Sequence, residues 1–438
     1  KHMTSLVSFS TLSLLGLLGA SSIHALDTLA ADLHMNQTPD DRVRVVWHLP
    51  NSMQGQQRFR MPAVVPGTYS VYNFGRFVKD LRAYRGAKPE TPEQEDQNTW
   101  LLKDSESIDS LVYWVDDTFD DTNYQNWVFE PAGTNFEEGK NFLLNFHGLV
   151  GYVEGFQHQM PYVVNCWVPT DFRVATGLEI IDNSPGRVRL TAQNYHQLVD
   201  GPAMFCKPDM VTKSLGSAEV TVAVYNPSGR ISAEKIMGVV SPVMEAIYSY
   251  LGDSLPVDKY AFIFYLVDQM RSPGAGALEH GNSSVYYLPV LTESMLLNMV
   301  RDVAAHEFFH IVTPLNLHSE DIHYFDYHAP TMSKHLWLYE GGTEYSSGLV
   351  QVRHGLMDGN AFLDWLREKV VGATAHSDNL PFTELSEGCL DEHKEEYGNV
   401  YQKGALINAC LDLVLRHRGG NVQFGYPDLI KQLSEMYG

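Results

Sequence analysis

His306 and His310 stand four residues apart with Glu307 between them, in the segment AHEFFHIVTP at 305–314. On a helix that spacing puts both imidazoles on one face with a rise of about 6 Å, which lets two rings converge on one ion. Neutral imidazole is a zinc ligand, and Glu307 points in a neighbouring direction, where its carboxylate reaches a water rather than the ion. Zinc lowers the pKa of a bound water to about 7, and a nearby carboxylate can take the proton as the water attacks a polarised carbonyl. The chemistry on offer is metal-assisted hydrolysis, with His306 and His310 as ligands and Glu307 as general base. The competing reading is an amphipathic helix carrying HExxH by accident, in a chain with 18 histidines. A third ligand decides between them.

Thr313 and Asn316 occupy the positions where an HExxHxxGxxH site needs Gly and His, so that arrangement is excluded. His318, His323, His328 and His335 remain individual alternatives, each also readable as a loop or surface histidine. A better one is Glu340 in LWLYEGGTEY at 336–345, which follows an apolar helical run and has Glu344 one turn later. Glu340 would complete a His₂Glu site for one Zn²⁺, and Glu344 could hydrogen-bond a ligand histidine and fix its tautomer. Three protein ligands leave a position for water, whereas structural sites close all four.

These residues must be held by helices. Residues 292–312 contain neither Gly nor Pro, Thr292 can serve as N-cap with Glu293 in the first turn, and Pro314 marks the end. Helical spacing also runs through 335–350, 360–371 and 402–417, and through Ile236, Val240, Met244, Ile247 and Leu251, where Pro242 is placed to kink or divide the element. KYAFIFYLVDQ reads as a strand. From about 40 to 226 the pattern changes: RVRVVWHL, SLVYWVD, RVRLTAQ and AEVTVAVY read as short strands between turns. GAKPETPEQEDQNT at 86–99 has no apolar anchor and reads as an exposed loop.

The expected fold class is therefore multidomain α and β. A β-rich, sandwich-like domain spans 27–228, and an α-rich domain carrying the metal residues spans 229–438, with the boundary at NPSG. Residues 1–26 resemble a secretory signal with cleavage after Ala25, although its basic start is only Lys1 and His2. That segment implies a periplasmic or secreted protein, and a cytoplasmic one if it is not functional. No later stretch has the ~20 apolar residues of a membrane span, so the mature chain is expected to have no integral span. With 53 acidic against 31 basic residues and a formal charge of -22, the surface repels phosphate backbones, which excludes nucleic acid as a partner. Cys166, Cys206, Cys389 and Cys410 form no CxxC pair. They read as buried thiols, with Cys166 and Cys206 one possible disulfide in an exported protein.

HEFFH, WLYEGGTEY and YQKGAL together resemble the glycyl aminopeptidase family of zinc metallopeptidases, glutamate-zincins with a thermolysin-like catalytic domain. The His310 to Glu340 spacing exceeds that of the thermolysin and leukotriene hydrolase-like groups, whose third glutamate would fall near Pro330 or Ala329. The resemblance extends to GAGALEHGNSSV at 274–285, an edge strand lining the cleft in related aminopeptidases. There the backbone at Gly276 and Ala277 could pair with an extended peptide, and Glu279 would meet its free α-ammonium group. It further implies that Tyr401 in YQKG donates a hydrogen bond to the oxyanion, with Tyr397 as a nearby competitor. VPGTYSVYNFGRFVKDLRAY and LVDGPAMF are similar to N-terminal family segments, although Val65 departs from the aromatic stretch common before Pro-Gly. The family often continues into a PDZ-like domain beyond the position of Gly438.

The expected activity is thus zinc-dependent removal of N-terminal residues, small ones such as Gly or Ala by the family resemblance, from peptides with a free N-terminus. A metalloendopeptidase with the same chemistry, or a non-catalytic binding protein with a vestigial zinc site, are the alternatives.

Overall fold

The computed structural model describes residues 28–437 except 51, 52, 54, 124, 208, 271–273 and 419–423. The expected signal at 1–26 lies outside the described residues. Period-two alternation builds the first half: Leu29–His34 buries every second residue, and Arg42–His48 and Ser110–Asp116 do the same. These strands sit in an eight-stranded sheet ordered Glu179–Ser184, Arg187–Ala192, Tyr162–Trp167, Leu29–His34, Arg42–His48, Ser110–Asp116, Val78–Arg85 and Lys88–Glu90. Leu29–His34 runs parallel to Tyr162–Trp167, and the other pairings are antiparallel. Two four-stranded sheets contribute Phe59, Trp100, Phe142 and Phe205 to one core with Trp47, Tyr113 and Leu190 of the large sheet. The result is the β-rich, sandwich-like half that the sequence pattern indicates.

Residues 86–97 are largely exposed but not a loop, while Asn98 and Thr99 are buried. Lys88–Glu90 and Glu93–Asp96 are edge strands of two different sheets, held by backbone pairing that needs no apolar side chain.

The second half is built on a five-stranded sheet ordered Met210–Leu215, Ala218–Tyr225, Lys259–Val267, Ser283–Pro289 and Gly276–His280. Ala218–Tyr225 pairs in parallel with Lys259–Val267, and helix Ala233–Tyr250 makes the crossover. This sheet therefore spans NPSG, which is a βα turn inside one unit. We propose a division between the halves near residue 209 in place of 228. Helix Ala233–Tyr250 runs unbroken through Pro242. With Glu293–Phe309 it covers the sheet and buries Ile236, Val240, Leu296 and Phe308 against Val222, Phe262 and Phe264.

Helices Leu336–Arg353 and Asn399–Arg418 pack against each other through glycine. A Cβ on Gly341 would lie 2.6 Å from the backbone carbon of Gly404, a separation that no side chain fits. The expected cost of Gly341→Ala is about 1–3 kcal/mol, the range for overpacking, read as a lower urea midpoint. Among the described residues no helix is long and apolar enough to cross a membrane. All four cysteines are free, and Cys410 is exposed because its helix face is open to solvent, whereas the other three are buried.

Candidate metal centre and catalytic pocket

Thr292 caps the helix Glu293–Phe309, its side chain accepting from Met295 N at 3.2 Å. The helix ends one residue before His310, which forms the C-cap. That early end still leaves both imidazoles together, with Nε2 of His306 and Nε2 of His310 3.1 Å apart. Glu340, buried on Leu336–Arg353, places Oε2 3.3 Å from His306 Nε2 and 3.6 Å from His310 Nε2.

The other ring nitrogens show why three acceptors can crowd this closely. His310 Nδ1 donates to the carbonyl of Thr313 at 3.0 Å, and His306 Nδ1 lies 2.8 Å from Glu344 Oε2. A carbonyl and a carboxylate accept only, so both Nδ1 atoms carry a proton, and with the rings neutral both Nε2 lone pairs face Oε2. Three lone-pair atoms at this separation repel unless a cation lies among them. Zinc bonds of about 2.05 Å in tetrahedral geometry put neighbouring donors about 3.3 Å apart, so the residues present fit a divalent ion of that size.

Glu344 is held in turn by Lys369 of helix Gly359–Ala373, 2.5 Å from Oε1. Against the raising effect of burial, the hydrogen bonds from His306 and Lys369 bring its carboxyl down to about 2, so it stays ionised toward His306. Lys369 carries no mark in sequence beyond one more lysine on a helix.

Glu307 is buried, and its carboxyl is pushed up to about 7 by burial and by the carboxylates of Glu340 and Glu344, with His306 pulling the other way. Glu279, Glu307 and His310 offer ligand atoms within 4.8 Å of one another. Glu279 is carried by the edge strand Gly276–His280, and its carboxyl is pushed well up by desolvation and by Glu340 and Glu307. A pocket of about 370 Å³ joins these groups, lined by Ala277, Glu279, His306, Glu307, Glu340 and Tyr401 among others. Ala277 lines this space, whereas Gly276 is not among its lining residues, and a Cβ on Gly276 would meet the Phe129 ring at 2.7 Å. Asp200 of LVDGPAMF fixes the turn of this edge hairpin, accepting from Gly281 N at 2.8 Å and pairing with His280.

Tyr401 and Tyr397 both line the pocket, their hydroxyls 2.6 Å apart. The Tyr401 ring lies 5.8 Å from that of His306. His318 and His323 contact each other at 3.2 Å, and His335 stands at the N-cap position of Leu336–Arg353 without a side-chain capping bond. Neither they nor His328 join the cluster of His306, His310 and Glu340. The N-terminal half also reaches the site: Tyr69 donates to Glu340 Oε1 at 3.1 Å. The PGTY segment carries it, but nothing in its spacing announces a contact with the distant helix.

Residues 30–207 match the Peptidase M61 N-terminal domain, and residues 299–407 match the M61 glycyl aminopeptidase domain. Among solved structures, the chain is similar to an aminopeptidase N family protein from Idiomarina loihiensis, at 20% identity and a TM-score of 0.80, over 94% of this chain and 70% of that one. It is also similar to an M1 zinc metallopeptidase from Deinococcus radiodurans, at 12% identity and a TM-score of 0.53, over 94% of this chain and 86% of that one. A mutant of that enzyme bound to a Tyr-Ser-Ala substrate gives 12% identity and a TM-score of 0.52 over the same shares. At these identities the structural likeness concerns the fold. No curated protein matches the sequence.

Proposed function

Since the chain belongs to the M61 glycyl aminopeptidase family, we propose that it is a zinc aminopeptidase whose single ion is held by His306, His310 and Glu340. The observation that carries this reading is the convergence of three lone-pair atoms at 3.1–3.6 Å with both outer ring nitrogens already committed. When bound, zinc polarises a carbonyl and makes water acidic enough to lose a proton near neutral pH. The chain's own groups supply the rest. Glu307 takes the proton of the attacking water and passes it to the leaving amine. Tyr401 donates a hydrogen bond where the oxyanion develops. Glu344 and Lys369 keep His306 in the Nδ1–H tautomer.

Glu279 gives the reading its direction. Its carboxylate and that of Glu307 lie close together, the first half-buried and the second buried, an arrangement that a substrate ammonium group relieves by pairing with Glu279. The edge backbone at Ala277 is placed to pair with an extended peptide. A preference for small first residues such as Gly or Ala rests on the family resemblance, and export from the cell rests on the resemblance of residues 1–26 to a secretory signal.

Peptides with free and N-acetylated amines, compared in the zinc-loaded and chelator-treated protein, test this reading. Chelation is expected to abolish cleavage and added zinc to restore it. Acetylation is expected to lower kcat/KM about 10–100-fold, the value of a hydrogen bond between charged groups, and Glu279→Gln to erase most of that difference. Equal rates on the two peptides would instead favour a metalloendopeptidase. Full activity after chelation would sink the zinc chemistry, and absence of cleavage by the zinc-loaded protein would leave the binding-protein alternative.

A further inference from the structure

Tyr69 reaches the metal cluster from a turn with unusual backbone. It adopts φ 47, left-handed space that a bulky aromatic residue rarely enters. Gly67 two residues before it has φ 79, and a Cβ there would meet Leu278 Cδ1 at 2.8 Å and Glu279 Oε1 at 2.9 Å. Such conformations persist only where the surroundings over-determine them, and they gather at functional sites. Here the surroundings are visible. Thr68 Oγ1 donates to Val65 O at 2.8 Å, Ala63 N donates to the Tyr327 carbonyl at 2.8 Å, and the Tyr69 ring packs on Tyr397 with centroids 4.8 Å apart. The turn is thus pinned on one side by its own half of the chain and on the other by the catalytic half.

What the turn delivers is one phenol, set on one oxygen. Tyr69 Oη donates to Glu340 Oε1 at 3.1 Å, while Oε2 faces His306 and His310. A glutamate carboxylate rotates in a broad, two-fold well, so Glu340 by itself can present either oxygen, or both, to an ion. With Oε1 committed, only Oε2 is presented, and the carboxylate binds through one atom. We propose that Tyr69 is a positioning residue for Glu340, through which the N-terminal half sets the affinity and geometry of the metal site. This inference rests on the assignment of His306, His310 and Glu340 as ligands. It makes the β-rich half a working part of the catalytic centre, and it gives the Pro-Gly-Thr-Tyr segment a physical purpose.

The test is a zinc-chelator competition titration of the full chain carrying Tyr69→Phe, which keeps the ring against Tyr397 and removes only the hydroxyl. Zinc affinity is expected to fall about 10–100-fold, the usual effect of losing a partner that orients a ligand. KM for a free peptide and the thermal midpoint of the metal-free protein are expected to hold. Tyr397→Phe serves as the comparison and is expected to leave zinc affinity unchanged, because its hydroxyl bonds Tyr401 and not Glu340. Unchanged zinc affinity in Tyr69→Phe overturns the proposal, and a lower kcat beside it would make Tyr69 a direct donor to substrate. Equal weakening in both variants, or a fall in the metal-free midpoint that accounts for the loss, also overturns it, since either marks general packing. A wild-type chain that binds no zinc, or binds it equally well after His310→Ala, removes the ligand assignment itself and the proposal with it.

Discussion

Glu307→Gln is expected to keep one zinc per chain and to lose peptide hydrolysis by about 10²–10⁴-fold in kcat, the contribution of a positioned general base. Glutamine has the shape of glutamate but cannot take a proton, so the pocket survives and the proton transfer does not. Metal content and steady-state kinetics on the same preparation separate two geometries that the site contains. His306, His310 and Glu340 form one cluster of ligand atoms, and Glu279, Glu307 and His310 form another. If the ion sat in the second, Glu307→Gln would lose metal together with activity. Retained metal with lost hydrolysis assigns the ion to the first cluster and the proton to Glu307. Unchanged hydrolysis would sink the general-base role.

The parts of this site that could be read from sequence are those that a helix writes at fixed spacing. His306 and His310 share a face because one residue advances the chain by about 100° and 1.5 Å, and Thr292 caps that helix as its type suggests. Glu340 and Glu344 lie one turn apart, so one reaches the ligand cluster and the other reaches Nδ1 of His306. Contacts across folds leave no such trace. Tyr69 and Glu340 are 271 residues apart in sequence, and Lys369 reaches Glu344 from a separate helix. Their meeting is set by how the halves pack, and no local period encodes it.

The fold divides along the same line. Strands with one buried face show as alternation, which made Arg42–His48 and Ser110–Asp116 readable. Lys88–Glu90 and Glu93–Asp96 have no buried face to alternate toward, and backbone pairing alone places them. The turn at 226–229 uses Asn, Pro, Ser and Gly, the same residues that end domains. Only the parallel pairing of Ala218–Tyr225 with Lys259–Val267 identifies it as a connection inside one sheet.

The two tyrosines of the pocket give the second large effect. Tyr397 and Tyr401 have hydroxyls 2.6 Å apart, so one donates to the other and the acceptor keeps its own proton free. The Tyr397 ring is packed against Tyr69, 4.8 Å between centroids, whereas the Tyr401 ring stands over His306 at 5.8 Å. If Tyr397 donates to Tyr401, the free proton belongs to the phenol beside His306, where the proposed mechanism places the oxyanion. Tyr401→Phe is then expected to lower kcat by about 10²–10³-fold, the cost of one oxyanion donor, with zinc content and KM nearly unchanged. Tyr397→Phe leaves that proton in place and removes only the group that orients it, so its loss in kcat should stay within about tenfold, the scale of a single neutral hydrogen bond. Single-turnover kinetics on both variants give the ranking. A larger loss in Tyr397→Phe would reverse the direction of the hydrogen bond and move the oxyanion role to Tyr397, while two small losses would mean that neither phenol faces the developing charge.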